Sequence, residues 1–195
     1  KNATAFGSIT GLGSMVFIKK LTASSSATLS FVDGASGVVL DNTYKEYLFT
    51  FKDIHPETNF RHLGFQANAV GGSGYNETIT STMFVANHKE DDSSSTLAYE
   101  ADGDQAQGTG FQSVIHAMGN GNDESGSGTL HLFNPSSTTF VKHFIATTNT
   151  YTDDDRSQNN FAAGYINTTS AIDEIQFKMS SGNIDSGDIC LYGIA

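Results

Sequence analysis

Apolar and polar residues alternate along most of this chain, and apolar residues rarely recur at the helical spacing of three and four. In ATLSF, Ala27, Leu29 and Phe31 point to one side of an extended strand, and Thr28 and Ser30 to the other. EYLFTF repeats the pattern with Tyr47, Phe49 and Phe51, and Leu63, Phe65 and Ala67 alternate with Gly64 and Gln66. A period of two is that of a strand with one buried face. Such runs occur at 15–21, 27–31, 46–51, 63–67, 79–88, 111–118, 129–133, 139–146, 160–166, 174–179 and 188–194, which predicts about eleven strands.

Between the runs lie clusters of Gly, Asp, Asn and Ser, among them DGASG, GGSG, EDDSSS, ADGDQAQGTG, GNGNDESGSG and TDDDRSQNN. These residues tolerate turn conformations or hydrogen-bond their own backbone. Many short strands, turn punctuation and no interleaved helix predict an all-β chain. The expected architecture is an antiparallel β-sandwich of jelly-roll type with about 10–12 short strands. Its expected core is Phe31, Phe49, Phe51, Phe65, Phe84, Ile115, Leu132, Phe144, Tyr165, Phe177 and Leu191. Residues 1–14, KNATAFGSITGLGS, are small and Gly-rich and read as a connector into a single domain over 15–195. The chain lacks an initiator Met, which predicts that it is part of something longer.

The net charge of −11 opposes nucleic-acid binding, because phosphate recognition needs clustered Lys and Arg and only Lys19 and Lys20 are adjacent. No run approaches the ~18 apolar residues that a membrane span needs. Cys190 is the only cysteine and sits in an apolar strand, so neither an intrachain disulfide nor a thiolate metal site is available. The six histidines, His55, His62, His88, His116, His131 and His143, form no local ligand pair. Carboxylates at Asp91, Asp92, Asp102, Asp104 and Asp153 to Asp155 are of the kind Ca²⁺ prefers, but none fits the twelve-residue calcium loop. No cofactor is therefore expected, with Ca²⁺ as the one candidate. No nucleophile elbow, zinc-protease motif or phosphate loop is present, and the expectation is that the chain is not an enzyme.

A rigid sandwich presents its long connections at its ends. The longest expected loops are 90–95, 101–110, 119–128 and 152–160, all acidic or rich in Asn and Gly. The candidate recognition residues there are Tyr99, Asp102, Asp104, Gln105, Asn120, Asn122, Tyr151, Asp153 and Asp154. Tyr99, Phe111 and Tyr151 flank these loops and could stack on sugar rings, with core packing the favoured use of Phe111. The acidic balance favours a neutral or cationic glycan, or a protein surface, as partner.

The segments LTASSSATLSFVDG, YKEYLFTFKDIHPET, GGSGYNETITST and SSGNIDSGDICLYGIA together resemble virion structural proteins of tailed bacteriophages, especially those of marine hosts. The resemblance covers about 15–195. It rests on Tyr44, Tyr47, Phe49, Phe51, Ile54, His55 and Pro56 near the front, and on Ser181, Gly182, Ile184, Gly187, Ile189, Leu191, Tyr192, Gly193 and Ile194 at the end. These are packing and turn positions without a catalytic signature. The resemblance implies a component of an extracellular virion that contacts other virion proteins. The expected role is the distal receptor-binding domain of a trimeric tail fibre. The alternative is a capsid decoration or cement protein that stabilises the head, and the outsider is a virion-associated glycan-processing enzyme. A homotrimer also accords with the apolar surplus at Val16, Ile18, Cys190, Tyr192 and Ile194, which exceeds what one buried strand face needs.

Overall fold

Each of the eleven alternating runs forms a strand in a computed structural model, which describes residues 15–195. The expected connector over 1–14 lies outside the described residues. In chain order the strands are β1 (Met15–Ser26), β2 (Leu29–Val32), β3 (Glu46–Pro56), β4 (Arg61–Ala69), β5 (Ile79–Lys89), β6 (Ser95–Tyr99) and β7 (Ala106–Gly108). They continue as β8 (Gln112–Met118), β9 (Gly126–Phe133), β10 (Lys142–Tyr151), β11 (Arg156–Ile166), β12 (Ile172–Met179) and β13 (Ile184–Ile194). No helix occurs among the described residues.

The strands form two antiparallel sheets of very different width. The larger has nine strands in the order β1-β13-β3-β9-β10-β11-β5-β6, with β7 also on β5, and the smaller has four in the order β2-β12-β4-β8. One continuous core lies between them. Its centre is a group of rings contributed by both sheets. Phe177 of β12 meets Phe31, Phe49, Phe51 and Phe65 with ring centroids 5.3–6.4 Å apart, three of the four contacts edge-to-face. Edge-to-face geometry suits aromatic quadrupoles and adds to the area each ring removes from water.

The chain's last strand is held inside the larger sheet. Strand β13 pairs with β1 on one side and β3 on the other, and Ile189 and Leu191 have no exposed surface. Its bulge at Gly187 (φ +117°) requires a glycine, since a Cβ there would lie 2.6 Å from the Asp53 carbonyl oxygen. The outermost strand β6 is five residues long and exposed throughout, and β1 carries Lys19 and Lys20, features that discourage edge-to-edge aggregation.

Several expectations are corrected. Phe84 is 44 % exposed and Tyr165 half-buried, because β5 and β11 turn Met83, Val85 and Ala162 inward in their place. Strand β6 lies between the expected loops 90–95 and 101–110, where no strand is expected, and the short β7 falls inside the second. The 119–128 and 152–160 loops are shorter than expected, because β9 begins at Gly126 and β11 at Arg156. Ile18 packs against the core, and Val16 pairs with Gly193 on the inward-facing parity, after a register shift between Phe17 and Lys19. Only Cys190, Tyr192 and Ile194 of that surplus sit on the outer face. Phe177→Ala should therefore cost about 3–5 kcal/mol in urea denaturation, and Phe84→Ala well under half of that. Equal losses at the two positions would contradict this division of faces.

Candidate functional site

Gln66 occupies a position on β4 that alternation assigns to the solvent side, yet it has no exposed surface. The reason is a segment of chain, residues 100–111, that runs hydrogen-bonded along β5 of the larger sheet and then passes over β4 at Thr109 and Gly110. The Gln66 side-chain amide donates to the carbonyls of Gly110 at 2.8 Å, Glu77 at 2.9 Å and Thr109 at 3.2 Å. On the inner side Gln112, also without exposed surface, donates to the Gly103 carbonyl at 2.8 Å and accepts the Ser81 hydroxyl at 2.5 Å. Ser81 in turn exchanges main-chain and side-chain bonds with Gln105, both 2.9 Å. Buried amides that lose a partner cost about 1–3 kcal/mol each, so these bonds hold the crossing segment in one conformation.

Under this segment lies a cleft of about 520 Å³. Its floor is the outer face of the smaller sheet, where Lys178, Gly64 and Ser113 are neighbours across β12, β4 and β8. Phe111 lies over Gly64, where a Cβ would sit 3.0 Å from the Phe111 Cβ, so the floor needs a residue without a side chain. The Lys178 ammonium stands 4.1 Å from the Phe111 ring centroid. Asp102 and Asp104 form the rim, and Tyr75, which donates to Glu174 at 2.7 Å, closes another side. The Ser113 hydroxyl is buried and has no protein partner, and Ser113 lines the cleft.

One end of the cleft is His62, whose ring stacks on His116 at 3.9 Å between centroids and 10° between planes. His116 lines a second cleft of about 500 Å³, together with Phe60, Glu100, Asp153, Asp154 and Arg156. His62 Nδ1 accepts the Ala117 N–H at 2.8 Å, so the neutral ring carries its proton on Nε2. His116 Nε2 has no partner. Burial, reinforced by the neighbouring His116 and Arg61, pushes the His62 pKa down to about 4. Burial also lowers that of His116. Both rings are neutral at pH 7. His116 is 6 % exposed, although its place in an alternating run suggested a solvent-facing position.

The expected recognition residues separate into three places. Asp102 and Asp104 are in the first cleft, and Tyr99 and Gln105 brace its rim. The Tyr99 hydroxyl donates to Asp104, and the Gln105 amide donates to the Gly110 carbonyl at 3.0 Å. Asp153 and Asp154 are in the second cleft; Tyr151 is nearby in sequence and donates to Asp155 at 3.3 Å. Asn120 and Asn122 lie in the turn before β9, where Asn120 donates to the Glu57 carbonyl at 3.2 Å. The residues that sequence reasoning missed are His62, Ser113, Tyr75 and Lys178, which come from three strands and a loop. Besides the acidic loop residues Asp102 and Asp104, a trace of the site in a single segment is Gly64 and Gln66, two non-apolar residues on the outward side of β4.

Several of the carboxylates proposed as Ca²⁺ ligands are engaged by neighbouring groups. Asp91 accepts the Ser93 N–H at 3.0 Å, Asp92 meets His88 at 3.0 Å, and Asp154 meets Arg156 at 2.6 Å and Thr152 at 2.7 Å. Among the described residues no group of three or more His, Cys, Asp and Glu side chains converges as a metal site. Known protein-family models give no match to this chain, and no curated protein matches it.

The histidine stack predicts a pH dependence of stability. Folding favours the neutral rings, so on acidification the unfolded chain takes up protons first. The stabilisation is complete above the ordinary histidine pKa of 6.5 and is lost as pH falls toward 4. The expected loss for His62 is on the order of 3 kcal/mol. Asp41, Asp154 and Asp188, whose pKa values the fold lowers from 3.8, act below that window. Urea midpoints should drop between pH 6.5 and 4.5, and much less so in a His62→Phe, His116→Phe double variant. An unchanged slope in that variant would assign the effect elsewhere.

Proposed function

We propose that this chain is a structural protein of a tailed-bacteriophage virion, acting as the distal receptor-binding domain of a tail fibre. The observation that carries the reading is the braced cleft at residues 100–111. A segment that reads as an acidic surface loop is tied down by buried glutamines on both of its sides, and a cleft stays open beneath it. Rigid walls lower the ordering cost of binding. The cleft offers the carboxylates of Asp102 and Asp104, the Lys178 ammonium and an aromatic ring. Donors and acceptors interleaved beside an aromatic surface suit a neutral, polyhydroxylated ligand, a host surface glycan. A binding role is favoured over a catalytic one because the His62 Nδ1 lone pair is already occupied by the Ala117 N–H.

The sandwich is read as a jelly-roll variant. The chain passes repeatedly between the two sheets, since β2, β4, β8 and β12 lie in one and the strands flanking each lie in the other.

Replacing residues 101–110 wholesale would orphan Gln66 and Gln112, so point changes at the exposed rim make the better test. Virions carrying Asp102→Ala with Lys178→Ala should lose at least tenfold in adsorption rate to host cells, while the thermal midpoint of the isolated chain moves by no more than a few degrees. Virions that adsorb normally but whose heads leak DNA on heating would favour the capsid-decoration reading instead.

A further inference from the structure

The larger sheet has two faces, and the core covers only one. On the other face the strand register aligns continuous rows of side chains. One runs from Phe17 through Tyr192, Leu48, His131 and Ile145 to Ala163. The next carries Phe161, Phe84 and Tyr99, and Phe84 and Phe161 stack with centroids 4.7 Å apart at 12°. A third row holds Ile194, Phe133 and Tyr165. Phe17, Ile145, Phe84 and Tyr99 are 58 %, 49 %, 44 % and 59 % exposed. From β13 to β5 the only Asp, Glu, Lys or Arg in these rows is Glu46, which is bonded to His131 Nδ1 at 2.6 Å.

We infer that this face closes against a second copy of the same chain. Size supports this first. With strands ~4.8 Å apart and same-face residues ~6.8 Å apart along a strand, three rows from β1 to β6 cover on the order of 700 Å². That approaches the ~800 Å² per partner of a specific interface, with Thr50, Thr129, Thr147, Thr82 and His143 set among the aromatic and aliphatic side chains. Charge supports it second. Two copies at −11 repel over most of their surfaces, and these rows are where approach costs least. Shape supports it third. The aromatic ridges stand beside hollows on the same face, one of about 480 Å³ over Thr82, Ile145 and Ala163 and one of about 180 Å³ between Phe84 and Thr147. A surface that carries both ridges and hollows can fit itself, as symmetric association requires.

Sedimentation equilibrium of the whole chain at micromolar concentration tests this independently of any receptor. The wild type should sediment at twice 20.8 kDa or a higher whole multiple. Ile145→Lys and Phe161→Lys should each weaken association at least tenfold with unchanged circular dichroism, whereas Val70→Lys, a 59 % exposed position off this face, should not. Lysine moves the net charge toward zero, so lost association in these variants cannot come from general repulsion. A wild type that stays at 20.8 kDa, or an oligomer that survives both lysine changes, overturns the inference. So does a monomer that floats with phosphatidylcholine vesicles, which would assign the face to a lipid surface.

Discussion

Gln112 has no atom in contact with solvent, and its amide is satisfied by a serine on the opposite sheet and by the backbone of a crossing loop. Much of the molecule's layout follows from the need for that arrangement. Four strands cannot cover nine, and beyond β8 the inner face of β5 would be open. The chain fills the gap with residues 100–111. Gly103 sits so close over Met83 that a side chain there would displace the methionine sulfur. A backbone segment in that place needs partners for its carbonyls, because a buried polar group left unpaired costs more than the bond contributes when made. Gln66 from outside the smaller sheet and Gln112 from between the sheets supply them. The cleft is the space left between this braced segment and the sheet it crosses.

The same asymmetry accounts for the outer face of the larger sheet. The smaller sheet and the loop both cover its inner side, which leaves eight adjacent strands with one open face. Strands that are half-buried normally carry polar residues outward. Here that face carries Phe17, Phe84, Ile145, Phe161 and Tyr192, with Thr50, Thr129 and Thr147 between them, and its charges, Lys20, Lys52, Asp188 and Glu46, gather toward β1, β13 and β3. Recognition cleft and apolar face are therefore separate surfaces, one made by a loop and the other by strands. They meet at Tyr99, whose ring lies on the apolar face and whose hydroxyl donates to Asp104 on the cleft rim; changes elsewhere on one surface should leave the other intact.

How much of this was legible in the sequence depended on whether the signal was local. Phe31, Phe49, Phe65 and Phe177 alternate with polar residues, so their burial could be read from their own segments. In ITSTMFVANH both parities carry apolar residues, and alternation cannot choose between Phe84 and the pair Met83 and Val85. The larger ring suggested the core, but the register with β11 places it outside. FQSVIHAM misled in the other direction, because β8 is buried on both sides and His116 goes in with its neighbours. Gln66 reads as solvent-facing, and it is on the outward side of its strand; what no single segment shows is a loop 40 residues away lying on top of it. Asp102 and Asp104 could be found because acidic loop residues draw attention by themselves. Ser113, His62 and Lys178 meet them only through strand pairing.

The cleft wall is built in advance of any ligand and is held by side-chain amides. Hydrogen exchange of the free chain tests it most directly, because loop amides exchange at rates near those of an unfolded peptide unless structure protects them. The account predicts that the amides of Gly103 and Gln105, bonded to the Glu100 carbonyl and the Ser81 hydroxyl, exchange on the slow timescale of β5. It also predicts that Gln112→Ala releases them while the amides of β10 and β11 stay protected. Fast exchange of 103–110 in the wild type would contradict the account, since the cleft would then have no fixed wall.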